Sequence, residues 1–332
     1  MELREAFLAS KLFGNGGGGG GGDGYTYDDI IEKKYTGVAS GSTSAAIPSQ
    51  MFAYASITGA SFPNASAINQ YAFNAAGIEY GYFPEATVLY ANVFQSCYSL
   101  KTLDLQKMTS AGAAAFYGCV QLSSLGGTSD LKSIGNQCFL SCSELEEINL
   151  EAVTTLGQSA FFNCIKLKSA NLLSFSGAIA SNAFQGCYAL SFVSAPLATQ
   201  VSTSAFAYCS AIASINLPKV NTIHSSAFIY CSNISVAMLG NRSLAGTRIN
   251  ASAFWGCQAL ESVYLLWNNV PTTITSTCFS ATPMTSESYL GHYGSIYVPA
   301  SLVDSYKTKV GFSNYSARLV GLTDEEIAAL NA

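Results

Sequence analysis

A single phenylalanine recurs about every 22 residues, and that period constrains the fold of this chain more than any other feature. The anchors are Phe52, Phe73, Phe94, Phe116, Phe139, Phe161, Phe184, Phe206, Phe228, Phe254 and Phe279. Five residues before each anchor stands an aliphatic residue in ten of the eleven units, from Ile47, Ile68 and Leu89 to Ile249 and Ile274; Ala111 is the exception. Three residues after it, eight consecutive units carry Cys97, Cys119, Cys142, Cys164, Cys187, Cys209, Cys231 and Cys257. Leu or Ile follows three residues further on, as Leu100, Leu122, Leu145, Leu167, Leu190, Ile212, Ile234 and Leu260. A unit this short cannot bury its own apolar face. A stack of such units can, because each coil covers the next.

The spacing also shapes the unit. The Leu-x-x-Leu-x-Leu run, as in Leu100, Leu103 and Leu105, ends in period-2 alternation, the pattern of a short strand with one face buried. The stretch Ile-x-x-x-Ala-Phe-x-x-Cys is rich in small residues and does not alternate. It reads as a return arm, either a second short strand or a tight helical turn. Gly127 breaks the inward column once. The two earliest units are one residue shorter after the anchor, with Ile57 and Ile78 in the Leu position. Phe62-Pro63 and Phe83-Pro84 close their strands, as Pro196 and Pro218 do later, because Pro cannot extend a ladder.

These residues carry a family resemblance. The unit Ala205 to Pro218, Ala-Phe-x-x-Cys-x-x-Ile-x-x-Ile-x-Leu-Pro, resembles the BspA-like (treponemal-type) bacterial leucine-rich repeat, and the match covers roughly residues 41–285. The segment Gly294 to Lys307 is similar to the closing segment of gut-bacterial proteins of this type. The expected fold is a repeat solenoid: a right-handed leucine-rich repeat coil with short parallel strands, about 11 coils and small helical caps. The resemblance implies surface-associated adhesion or ligand binding, and an extracellular or cell-surface location, without identifying a ligand.

Four segments are expected. Residues 1–24 form a peptide and linker: Leu3, Phe7, Leu8 and Leu12 have helical spacing, and residues 16–22 are seven consecutive glycines, the composition of a flexible tether. A phosphate-cradling loop would need a Gly-Lys-Ser/Thr continuation that is missing. Residues 25–40 form an N-terminal cap, 41–290 the solenoid and 291–332 a C-terminal cap. In the last segment Ser301 to Val310 and Asp324 to Leu330 read as helices, and Thr323 with Glu326 as a capping box.

Composition narrows the function. Charged residues make up 11% and the net charge is −5 with 15 Lys and Arg, so the basic footprint of nucleic-acid binding is missing. No apolar run is long enough for a transmembrane helix. Glu2, Arg4, Glu5 and Lys11 interrupt any secretory core, so no signal peptide is visible. The ten Cys lack any Cys-x-x-Cys pair, and the expectation is a column of buried free thiols rather than a zinc site or disulfides. Of the two His, His224 is expected at the surface and His292 lies near the cap; neither has an evident catalytic partner, and no cofactor or metal is expected.

The outward strand positions are the candidate binding surface. Eight and ten residues after the anchors they run Thr102/Asp104, Ser124/Gly126, Glu147/Asn149, Ser169/Asn171, Phe192/Ser194, Ser214/Asn216, Val236/Met238 and Ser262/Tyr264. The early ones are polar, and Phe192, Val236, Met238 and Tyr264 are not. Trp255 and Trp267 lie nearby, and an enlarged unit places Arg242 in a bulge. The candidate site is therefore Phe192, Val236, Met238, Arg242, Trp255 and Tyr264, either as a ligand footprint or, for Tyr264 and Trp267, as packing beneath the C-terminal cap. The sequence favours a non-enzymatic recognition or adhesion protein with a protein or glycan partner. The alternative is a structural or receptor-binding component of a phage-like particle, attached through the N-terminal peptide. An enzyme ranks third.

Overall fold

The computed structural model describes residues 37–330, apart from Thr43, 242–246 and 286–292. The N-terminal peptide and most of the 25–40 segment therefore lie outside the described residues, as do Arg242 and His292. The chain divides into two compact units, Met1–Leu167 and Lys168–Ala332. Both are parallel-strand coils of one design, about 12 turns in all.

The first unit holds two five-stranded parallel sheets. One runs Val38–Ser40, Gly59–Ser61, Tyr80–Tyr82, Thr102–Asp104 and Ser124–Gly126. Its first strand thus begins inside the segment expected to be a cap. The second sheet is built of two-residue strands, and its register is that of the sequence repeat: Ile68 pairs Leu89, Leu89 pairs Ala111, Ala111 pairs Ile134 and Ile134 pairs Leu156. Ala111, the one small residue of that column, is as buried as its neighbours.

The return arm combines both sequence expectations. After its two-residue strand the chain turns tightly, and its amides alternate between partners. In one coil Tyr71, Phe73 and Ala75 donate to Ala91, Val93 and Gln95 of the next coil at 3.2, 2.9 and 2.7 Å, while Ala72, Asn74 and Ala76 donate three residues back. No amide in the arm is wasted, although the chain is neither helix nor extended strand. The geometry puts the residues two before and two after the anchor in the left-handed region, as at Tyr71 and Ala75. That conformation disfavours most side chains. The anchors offset the strain: their rings form a buried stack, with centroids 4.9 Å apart for Phe52–Phe73 and 5.1 Å for Phe139–Phe161.

Gly127 breaks the inward column for a backbone reason. Its φ is +72°, and a Cβ there would lie 2.0 Å from the Leu105 carbonyl oxygen. Leucine has no room at that point.

In the second unit, Ser169–Asn171 pairs with Phe192–Ser194. A longer sheet follows: Ser214–Leu217, Val236–Leu239, Ser262–Leu265, Ser295–Pro299 and Leu319–Leu322. Its last two strands come from the tail, so the tail extends the sheet as well as covering it. Helices α1 (Val303–Thr308) and α2 (Asp324–Leu330) complete it. The capping box is present: the Thr323 amide donates to Glu326 Oε2 at 2.7 Å, and the Glu326 amide to Thr323 Oγ1 at 3.2 Å. The return arms again stack their Phe anchors, 5.3 Å apart for Phe184–Phe206 and 5.1 Å for Phe228–Phe254.

All ten Cys are buried free thiols. The carbonyls of seven anchors, Phe73, Phe94, Phe116, Phe139, Phe184, Phe206 and Phe228, accept a turn amide and have a second lone pair, which the thiol of the next coil uses. Cys97 donates to Phe73 at 2.9 Å, Cys142 to Phe116 at 3.1 Å and Cys231 to Phe206 at 3.0 Å. Cysteine suits this position because it is small, apolar and still a weak donor. Burial pushes the Cys97 and Cys278 thiols up to about 12.

Candidate functional site

Each unit carries apolar groups on its own outward strand face. In the first unit these are Val38, Tyr80 and Tyr82, 37%, 47% and 41% exposed. They correct the expectation of a polar early half. The one-residue shortening of the early units shifts their outward positions to seven and nine residues after the anchor, so a fixed count of eight and ten misses both tyrosines. The Tyr80 ring lies over Gly59, where a Cβ would come within 2.5 Å of it. The missing side chain on the neighbouring strand was the signal available in the sequence.

In the second unit Phe192 projects from its strand with 54% of its surface exposed. It borders a shallow cavity of about 300 Å³, lined also by Ser194, Pro196, Ser214, Asn216 and Pro218. The strand-closing prolines form part of its wall. No Asp, Glu, Lys, Arg or His occurs from Ser169 to Pro218. What binds here must do so through shape, apolar contact and hydroxyl or amide hydrogen bonds.

The other named residues have different settings. Met238 and Tyr264 are adjacent in register and only partly buried, and with Tyr297 they pack against Leu266, Leu322 and Ile327. Tyr264 stacks on Tyr297 at 4.5 Å and 11°. The chain's own tail covers this end of the face. Val236 is half-buried in its strand. Trp267 is fully buried; its indole N–H donates to the Val220 carbonyl at 3.0 Å, and Gly240 leaves room for the ring. Trp255 is half-buried away from the strand face, in the return arm, edge-on to Tyr230 at 4.6 Å. The geometry therefore does not bring the named residues together into one surface: Phe192 stands open, Met238 and Tyr264 are covered, and Trp255 belongs elsewhere.

His224 is half-buried rather than free at the surface, with its Nε2 3.1 Å from Gln200 Oε1. Among the described residues no group of three or more His, Cys, Asp or Glu is placed to hold a metal ion. No helix among them is long and apolar enough to cross a membrane. Exposed Lys–Glu pairs one coil apart, Lys101–Glu79 at 2.7 Å and Lys166–Glu144 at 2.6 Å, stitch the surface of the first unit and contribute little to stability.

The BspA type leucine rich repeat region matches in six copies over residues 66–191 and 177–297, more than half of the chain. No curated protein is matched by the sequence. Several solved structures are similar at low identity. A leucine rich cell surface protein from Faecalibacterium prausnitzii is 18% identical over 87% of this chain and 85% of that one, with a TM-score of 0.36. A leucine-rich repeat protein from Eubacterium ventriosum is 15% identical over 77% and 86%, with a TM-score of 0.43. An internalin from Listeria monocytogenes is 9% identical over 90% and 89%, with a TM-score of 0.31.

Proposed function

The chain belongs to the BspA-type leucine-rich repeat family, and from that premise we propose that it is a non-enzymatic recognition or adhesion protein of the bacterial surface. Proteins of this family and fold are generally non-catalytic, and their usual role is interaction with other proteins. The proposed partner is a protein or glycan that seats on the outward strand face at Phe192. One observation carries this reading. Phe192 keeps 54% of its surface in water beside an uncharged cavity, although hydroxyl residues serve at the equivalent position of neighbouring coils. An exposed ring loses free energy to water, about 25 cal/mol per Å², until a partner covers it.

Binding of the labelled protein to mucin-coated surfaces and to epithelial cell monolayers tests this. A Phe192→Ser variant is expected to lose at least tenfold in retention on whichever surface retains the native protein. Retention unchanged by the substitution would remove Phe192 from the contact. Failure of the native protein to bind either surface would count against adhesion itself.

A further inference from the structure

The residue two positions after each anchor lies in the left-handed region in all eleven coils. Gly, Asn, Ser or Ala occupies that slot in eight of them, as the conformation favours. Tyr54, Tyr208 and Tyr230 are the exceptions. Tyr208 and Tyr230 fall in consecutive coils, 39% and 38% exposed, with rings stacked at 5.2 Å and 21°. Trp255 extends the row by an edge contact to Tyr230. Gly256 fills the slot in the next coil, where a Cβ would lie 2.9 Å from Tyr230 Cδ1, so the backbone leaves space for the ring. One coil before Tyr208 the slot is Gly186, followed by the exposed Tyr188. Bulky rings in a strained slot, repeated in adjacent coils and held in contact, are not what the backbone there favours.

We propose that the Tyr208–Tyr230–Trp255 row is a binding site for a neutral carbohydrate chain, separate from the strand face at Phe192. The negative face of an aromatic ring attracts the polarised C–H bonds of a pyranose. The coil that carries Tyr208 has no charged side chain, and those of Tyr230 and Trp255 carry Lys219, Arg248 and Glu261 among the described residues, of both signs, so the row presents no single-sign patch to an ionic partner. Outside the strand face, the exposed large apolar side chains of these coils are all tyrosine among the described residues. A protein interface would need an apolar core around its aromatic anchors. Ser204, Ser226 and Ser252, at the other left-handed position of the same three coils, supply hydroxyl groups suited to a sugar.

Electrophoresis through native gels containing dextran, mixed-linkage β-glucan, galactomannan or arabinoxylan tests the proposal, with a gelatin gel as the protein counterpart. At least one polysaccharide is expected to retard the native protein selectively, and the corresponding oligosaccharide to shield Trp255 from acrylamide quenching; Trp267 is buried and silent. The double variant Tyr208→Gly/Tyr230→Gly should bind at least tenfold more weakly. Its melting temperature should stay within a few degrees, since Gly already fills this slot in three coils. Tyr230→Phe keeps the ring and should keep binding. Retardation lost in Phe192→Ser but kept by the double variant would place the polysaccharide on the strand face instead and overturn the row. No retardation by any of the four polysaccharides, equal retardation of the double variant, or equal retention by gelatin would overturn the proposal.

Discussion

At Phe192 the outward strand face of the second unit stands open, whereas at Met238 and Tyr264 the same face is partly covered, packed against a cluster that includes Leu322 and Ile327 of the chain's own tail. In sequence the two places look alike, an apolar residue where Ser or Asn would serve. The difference teaches that an outward apolar side chain in a repeat marks a surface in need of cover, without saying what covers it. At the far end the cover is intramolecular and the residues are structural. At Phe192 no residue of the tail does that work.

Alkaline pH should have the largest effect, and it should act on both places. Burial raises the Cys278 thiol from 9.0 to about 12 and pushes up the hydroxyls of Tyr306 and Tyr315 at the covered end, and it also raises the thiols of the inner column, Cys209 in the coil after Phe192 among them. The folded state keeps these protons while the unfolded chain loses them. The stabilisation is therefore complete below about pH 9 and is lost as pH rises toward 12. Cys278 alone accounts for about 4 kcal/mol by pH 12, at about 1.4 kcal/mol per unit. Circular dichroism against pH should show cooperative loss of structure above pH 9. Hydrogen exchange should show the coils around Cys209 opening together with the tail, and structure that persisted unchanged to pH 12 would mean that these groups are not buried in the folded state.

Removing the cover is the next largest perturbation. Ile327, 2% exposed, anchors helix α2 over Leu266. Ile327→Ala should destabilise the second unit by about 2–5 kcal/mol in urea unfolding. Dye binding should rise as Met238 and Tyr264 reach water. An unchanged midpoint would mean that the tail is not the cover.

The smallest effect sharpens the contrast directly. Met238→Ser should cost about 1 kcal/mol, since part of a buried side chain is lost, while Phe192→Ser should stay within about 0.5 kcal/mol. Equal losses would show that Phe192 is held by the fold after all. Thiol titration supplies a control common to both ends: the native protein should react slowly, and the denatured protein should report all ten thiols.

The strand register was legible in the sequence because a 22-residue repeat aligns its own columns; Ile68, Leu89, Ala111 and Ile134 pair as the alignment puts them. The buried thiols were legible for the same reason, and the capping box because it is local. Tyr80 and Tyr82 were missed because a shortened early unit shifted their count by one. The row of Tyr208 and Tyr230 was missed because the left-handed slot has no hydropathy signature; only the backbone shows that tyrosine is costly there.

By itself the sequence determined the coil, its period, its inward columns and the thiol ladder, since a unit repeated eleven times can bury its apolar positions only by stacking. Tertiary structure decided which outward residues remain outward. Cover depends on where the tail lands, and the contacts that place Leu322 and Ile327 over Met238 and Tyr264 join residues more than fifty positions apart in the chain, beyond the reach of any local pattern.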